Sequence, residues 1–300
     1  MVRVIKKRIL FTLMGLVILL GCEKDITFEP LQQESKLVVD AEIENGRPPI
    51  VVLSNSLNYF STIDTAALFN SFVKNAVVNI FDGTKKHTLR YFEFRSSNGI
   101  RYAFYTNDPA DPSGVLLGAE GKTYRLTIET GGKLYNSTTT IPNITKKVDS
   151  LWWKSVPNRP VNDSFRVLMA RITDPPGLGN YIRYFTKVNS EDFLPGFNSV
   201  YDDVVIDGKT YNTDVDKGVD KNRILERENF GFFKSGDTVT VRLSNIDKAS
   251  FDFWRTWEFT FQSIGNPFSA PGIVTGNINN GALGAFCGYG SQYRRIIIPK

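Results

Sequence analysis

The stretch AVVNIFDGTKKHTLRYFEF, residues 76–94, decides the fold class. Two runs rich in β-branched and aromatic residues flank Asp82-Gly83. Asp-Gly between such runs signals a hairpin, because a tight turn needs residues that accept positive φ. Downstream, TYRLTIET (123–130) alternates in character. Tyr124, Leu126 and Ile128 point one way; Thr123, Arg125, Thr127 and Glu129 point the other, which predicts one buried and one wet face. Working outward, LVVDAEI (37–43), IVVLSNS (50–56), GIRYAFYT (99–106) and KLYNSTTTIP (133–142) read as further strands, the last preceded by a Gly131-Gly132 turn. Short strands at this spacing predict a small antiparallel sandwich over 37–142.

Pro142 and Asn143 break the pattern, and a second β-rich part is expected over 149–300. Its candidate strands are FRVLMARI (165–172), NYIRYFTKV (180–188) and DTVTVRLSNI (237–246). Between them, 189–229 reads as a long, irregular, polar insert, the kind of loop that is often functional or mobile. One amphipathic helix is predicted at about 247–264, capped by Asp247. Its stripe of Phe253, Trp254, Trp257, Phe261 and Ile264 is read as core-facing. The glycines and asparagines after it suggest tight turns, with RRIII (294–298) as a closing strand.

The N-terminus, MVRVIKKRILFTLMGLVILLGC (1–22), has the layout of an export signal. Arg3, Lys6, Lys7 and Arg8 precede an apolar run from Ile9 to Leu20. That run falls short of the roughly 20 apolar residues a spanning helix needs. Leu19-Leu20-Gly21-Cys22 resembles a bacterial lipobox, with Leu20 bulkier than usual at its position. Cleavage is expected between Gly21 and Cys22, the Cys22 thiol carrying diacylglycerol; the alternative is an ordinary secretory signal with a chance cysteine. Several acyl chains on one residue anchor stably, whereas one alone is marginal. Residues 1–21 are thus read as signal and 22–36 as tether. Lys24 followed by Asp25 is a partial match to a surface-export address; the competing reading is a solvated tether.

Composition narrows the rest. Four of the 36 basic residues lie in the signal, which leaves 32 against 31 acidic ones, a net charge of +1 in place of +5. No basic block suits a phosphate backbone, so nucleic-acid binding is disfavoured. Cys287 is the second of two cysteines, and is expected to be a buried, inert thiol. His87 is the single histidine; it is expected on a strand, exposed, and it excludes a multi-histidine zinc site. In TDVDKGVDKNR (213–223), Gly218 takes the fifth position, where an EF-hand needs an oxygen ligand, so Asp214, Asp216 and Asp220 are read as a solvated loop without metal. Trp152 and Trp153 are neighbours on a strand and must face opposite sides. They are candidate ligand contacts, though packing at the junction is the first reading. With no G-x-S-x-G, Walker A, G-x-G-x-x-G or C-x-x-C motif, no catalytic residue, metal or cofactor is assigned.

The LVVDAEI and IVVLSNS pair, the AVVNIFDG hairpin, TYRLTIET, VDSLWW (148–153) and NPFSAPGIVTGNINNGALGAFCGYG (266–290) together resemble a Bacteroidota outer-membrane lipoprotein family known as domain-of-unknown-function family 4249. The resemblance covers nearly the whole chain beyond the signal, and GNINNGALGAF is its most specific part. It implies a mainly β protein with an immunoglobulin- or transthyretin-like N-terminal sandwich and a second β-rich part. It also implies lipid anchoring in the outer membrane, on the periplasmic or cell-surface face, with membrane lipid held through Cys22. The expected partner is a TonB-dependent receptor in nutrient uptake, and the expected role is non-enzymatic. The alternative is a free-standing carbohydrate- or peptide-binding surface lipoprotein; a hydrolase using paired Asp and Glu ranks third.

Cys22→Ala is expected to abolish membrane retention, and globomycin to leave a longer precursor. A precursor of unchanged size on a denaturing gel would remove the anchor from the account.

Overall fold

The computed structural model describes residues 34–57, 64–95, 101–160, 163–223, 229–266, 268–269 and 272–300. Gly21, Cys22, Lys24 and Asp25 therefore lie outside the described residues. Ser35–Lys300 forms one compact unit. It is mainly β, 49% strand against 11% helix, and sandwich-like.

In chain order the first strands are β1 (Leu37–Glu44), β2 (Ile50–Asn55), β3 (Val77–Phe81), β4 (Lys86–Arg95), β5 (Arg101–Thr106), β6 (Thr123–Thr130) and β7 (Lys133–Thr140), with a short helix α1 (Thr65–Ser71) after β2. These follow the sequence pattern closely. Tyr124, Leu126 and Ile128 of β6 are all buried, as their alternation requires. Strand β4 turns the corner of the sandwich: its first residues pair with β3 and its last with β5. The face formed by β1, β2 and β5 thereby closes on that of β3, β6 and β7, around Val39, Ile43, Leu53, Ile80 and Leu126.

The later elements are β8 (Lys147–Ser155), β9 (Phe165–Thr173), β10 (Tyr181–Val188), β11 (Leu194–Tyr201), β12 (Thr210–Val215), β13 (Phe233–Lys234), β14 (Thr238–Ile246), helix α2 (Lys248–Ser263) and β15 (Leu283–Ile297). Eleven strands join one sheet in the order β11-β10-β14-β15-β1-β2-β5-β4-β3-β6-β7, while β8, β12 and β13 pair with β9 in a second. A second core lies between that smaller sheet and β10–β14, built on Leu168, Ala170, Ile182, Phe233, Val239 and Leu243.

Three expectations are corrected. The 189–229 insert contains strands β11 and β12, so it is not irregular throughout. The glycine-rich end does turn tightly at Asn279–Ala282, where Asn280 and Gly281 take positive φ, but from Leu283 it is one strand of 15 residues and not a continuing run of turns. Along helix α2, Asp247 caps as predicted, accepting from the Ser250 N–H at 2.8 Å, but Ile264 falls after the helix and is 75% exposed. Glu258 lies on the buried side of that helix instead.

Strand β15 runs parallel to β1 and antiparallel to β14. Residues 285–291 are buried without interruption, because both faces are covered. Phe286 enters the first core, whereas Ala285, Cys287 and Tyr289 pack with Phe251 and Phe253 of α2. Gly288 and Gly290 stand where the Thr140 and Pro142 carbonyls pass, leaving no room for a Cβ. Gly284 is tighter still: its φ is 95°, and a Cβ there would run into the Val39 carbonyl.

Gly284→Ala is expected to destabilise the protein by about 1–3 kcal/mol through overpacking, read as a lower urea midpoint at constant m. Gly281→Ala, a positive-φ position with open space around it, serves as the comparison for backbone strain without a clash.

Candidate functional site

A cavity of about 420 Å³ opens between the two sheets of the second sandwich. Its inner wall is apolar, formed by Ala170 and Ile172 of β9, Ile182 of β10, and Val241 and Leu243 of β14. Tyr184, which is buried, Tyr201 and Tyr211 complete the lining with the exposed Asp214 and Asp216, although Asp214 pairs opposite Met169, on the face away from Ala170 and Ile172. The volume lies within the range of small-molecule sites, as does the combination of apolar wall and few polar groups.

Backbone irregularity places Tyr184. The β10–β11 ladder shifts register between Arg183 and Phe185, and Tyr184 sits in that shift. Its hydroxyl lies over Gly196, where a side chain would collide with it. Tyr184 and Tyr201 stack at 6.3 Å and 25°. Burial raises the pKa of both phenols, with the charge of Asp216 adding to it. Tyr211 is pushed up to about 12, again chiefly by burial. Asp214 and Asp216 are open to water, yet burial, then the Asp214 charge, raises Asp216. Both observations fit a carboxyl at a cleft mouth, reached by solvent but walled by protein.

The loop between β11 and β12 closes one end of the cavity with Val205 and Ile206. It is pinned by carboxylates: Asp203 accepts from the backbone N–H groups of Gly179 and Asn180, and Asp174 from that of Gly208. Asp174, Asp203 and Asp207 bring oxygens within 4.8 Å of one another, a spacing suited to a cation. The chain supplies that charge itself. Lys146 Nζ lies 3.0 Å from Asp174 Oδ1, both side chains fully buried. The contact is off-line for a hydrogen bond, so it acts as an ion pair.

A second polar assembly holds helix α2 to the sheet. Arg183 donates to Ser199 Oγ and to the Tyr289 hydroxyl, and its guanidinium lies 3.3 Å from the centre of the Trp254 ring. Ser199 in turn donates its N–H and hydroxyl to Glu258, which also pairs with Lys221 at 3.2 Å. Burial lowers the Lys221 pKa despite that partner. On the same sheet face, Asp40, Glu42 and Glu44 alternate along β1. Burial raises Asp40 and Glu42, opposed by Arg183 for the first and Arg242 for the second. Glu44 is bound by Tyr293 and lies 3.5 Å from Arg242.

The residues singled out from sequence scatter. Trp152 is half-buried on β8; Trp153 is exposed, with the Arg166 guanidinium 5.5 Å from its ring centre. Neither lines the cavity described above. His87 is on a strand but not exposed: it is buried between the Gly114 carbonyl at 2.8 Å and Asp82 at 3.2 Å, closing the hairpin turn. The backbone N–H of Lys85 leads the contacts that hold the Asp82 carboxyl well below the usual range. Cys287 is buried, and burial pushes its thiol up to about 12. Asp220 pairs with Arg223 at 3.1 Å. The cavity itself was missed, because its wall comes from strands far apart in the chain; the paired acids of Thr213–Asp216 were its one visible sign.

A family model described as a domain of unknown function, DUF4249, matches residues 23–295. Among curated proteins, none matches the chain. No helix among the described residues is long and apolar enough to cross a membrane.

Lys146→Met leaves Asp174 buried without its counter-charge and is expected to cost about 3–5 kcal/mol. The double substitution Lys146→Met with Asp174→Asn should recover most of that in chemical denaturation. Equal stability of the two variants would show that the pair is not the hinge pin of this loop.

Proposed function

The chain belongs to the DUF4249 family, and from that premise we propose that it is a lipid-anchored accessory protein of the bacterial outer membrane. In this reading it works without catalysis beside a TonB-dependent receptor in nutrient uptake, and holds a small ligand in the cavity of its second sandwich. The observation that carries the binding role is the cavity: about 420 Å³, with an apolar wall and three tyrosines in its lining. The anchor rests on the lipobox-like Leu19–Cys22. Cys22 precedes the first strand residue, Leu37, by 15 positions, which limits the reach of the tether to about 50 Å. A body held that close to the membrane is positioned to hand ligand to a barrel in the same bilayer.

One observation favours the second reading, a free-standing carbohydrate- or peptide-binding lipoprotein. Phe94 and Tyr102 stack at 5.0 Å and 15°, and both are exposed on neighbouring strands. Flat exposed rings suit sugar faces and peptide side chains.

Affinity capture of the full-length protein from detergent-solubilised outer membranes is expected to bring down a TonB-dependent receptor. Capture of none, with a glycan or peptide array signal lost in Phe94→Ala with Tyr102→Ala, would transfer the case to the free-standing binder.

A further inference from the structure

Resting on the reading that the cavity holds a ligand, we propose that it takes a compact uncharged molecule: an apolar body larger than one benzene ring, carrying a hydrogen-bond acceptor such as a ketone or ester oxygen. Volume sets the size of that body. At about 420 Å³ the space far exceeds the roughly 150 Å³ that holds one benzene ring in an apolar protein cavity. Register sets its character. Tyr211 and Thr213 of β12 pair opposite Ile172 and Ala170 of β9, so they share the inner face. Ile182, Val241 and Leu243 close that space from the large sheet, and the part of a ligand that meets them must be apolar as well.

The charged residues of the lining point elsewhere. Asp214 pairs opposite Met169, on the outer face that it shares with Arg171. Asp216 turns its carboxylate to Gly231, where an added Cβ would lie 2.8 Å from its oxygen. Asp202 lies 4.0 Å from Arg255 of α2, on the other side of the large sheet. The buried Lys146 is 3.0 Å from Asp174, and the two charges cancel. A cation or an anion drawn in among Ile172, Ile182, Val241 and Leu243 would leave water without gaining a counter-charge, which is costly. A sugar fails for a related reason, because most of its hydroxyls would lose water against the same apolar wall.

Two phenols supply the polar contact. Tyr184 stands opposite Leu243 in the β10–β14 ladder, on the inner face, and is only 8% exposed. Its hydroxyl makes no hydrogen bond among the described residues, and neither does that of the half-buried Tyr211. Tyr201, by contrast, donates to the Asn198 carbonyl. Burial holds both unpaired phenols in their protonated form, so each has a proton to give. A phenol donates better than it accepts, because its oxygen lone pair is drawn into the ring. A buried hydroxyl without a partner is costly, and a ligand oxygen that reaches either of these hydroxyls removes that cost.

The test uses the full-length protein in detergent micelles, with empty micelles as the blank, and one molecular body in four forms: 1-tetralone, tetralin, tetralin-2-carboxylate and 2-aminotetralin as its ammonium ion. NMR titration of the Ile172, Ile182 and Leu243 methyl signals reads binding in the cavity itself. The ketone and the hydrocarbon are expected to shift these signals, and both ions to bind at least tenfold more weakly than the ketone. Tyr184→Phe with Tyr211→Phe should weaken the ketone about three- to tenfold and leave the hydrocarbon unchanged. If that variant does not fold, the carbonyl stretch of 1-tetralone bound to the wild type, lowered by a hydrogen bond, gives the same readout. Either ion bound as tightly as the ketone overturns the assignment of an uncharged ligand. Ketone affinity that survives the double substitution, or a carbonyl stretch that does not fall, overturns the acceptor. Both results leave the ligand cavity standing. No shift of the methyl signals with any probe overturns the cavity reading and the proposal together. Receptor capture is independent of all these results.

Discussion

The central constraint in this molecule is the placement of β15 between β1 and β14. A strand covered on both faces must satisfy every backbone group and fill two cores at once. Here one strand serves all three hydrophobic clusters. Phe286 fills the first sandwich, Tyr289 and Cys287 the layer beneath α2, and Ile296 and Ile298, at and just beyond its end, the second sandwich. Full burial of one such large side chain stabilises by about 1.5–3 kcal/mol. Removing the strand would separate β1 from β14 and leave the parts expected as 37–142 and 149–300 without their shared ladder.

Buried and half-buried amide side chains complete what the ladders leave open. Asn277 meets both the N–H and the carbonyl of Phe286, at 2.8 Å each. Asn45 does the same for Ser291, and Asn245 for Lys146. Gln292 bridges the Lys146 carbonyl and the Val148 N–H. Each amide carries one acceptor and two donors, so it imitates the edge of a strand where no strand runs. Asp247 extends the pattern: the carboxylate that caps α2 also accepts from the Thr139 hydroxyl and the Thr140 N–H, tying the helix to β7. Asn277 and Asn279 of GNINNGALGAF are in this sense side-chain substitutes for β-pairing, whereas Asn280, at φ 56°, is a true turn residue.

This explains what could be read from the sequence and what could not. Strands such as β2, β6 and β7 were legible because one face is buried and the other wet, which leaves a period of two; β3, buried at Val78, Asn79 and Ile80 in succession, was marked instead by its β-branched run and the Asp82-Gly83 turn. Strand β6 shows it without exception. Helix α2 was legible from its cap and aromatic spacing, except at Ile264, where the helix has already ended. Strand β15 was not legible, because double burial erases alternation and the glycines that admit the neighbouring carbonyls imitate turns. His87 was placed correctly on a strand but wrongly in solvent, since the turn at Pro112–Gly114 that covers it lies 27 residues away from it at Gly114. Arg183, Ser199 and Glu258 were invisible for a related reason. Their partners are 16 to 106 residues distant, and polar residues at such separations carry no local signature.

The cavity follows from the same architecture. Strand β11 is the outer edge of the large sheet and β12 an edge of the small one, and the chain crosses directly from the first to the second. Two sheets joined at one edge by a short loop cannot interdigitate fully there, so the space between them stays open where β11 and β12 face each other. The buried Lys146–Asp174 pair and the Asp203 hydrogen bonds hold that loop away from collapse. The exposed Asp214 and Asp216 at the end of β12 lie outside this support and take no part in either core. The carboxylates can therefore be exchanged without touching the strand on which the fold depends.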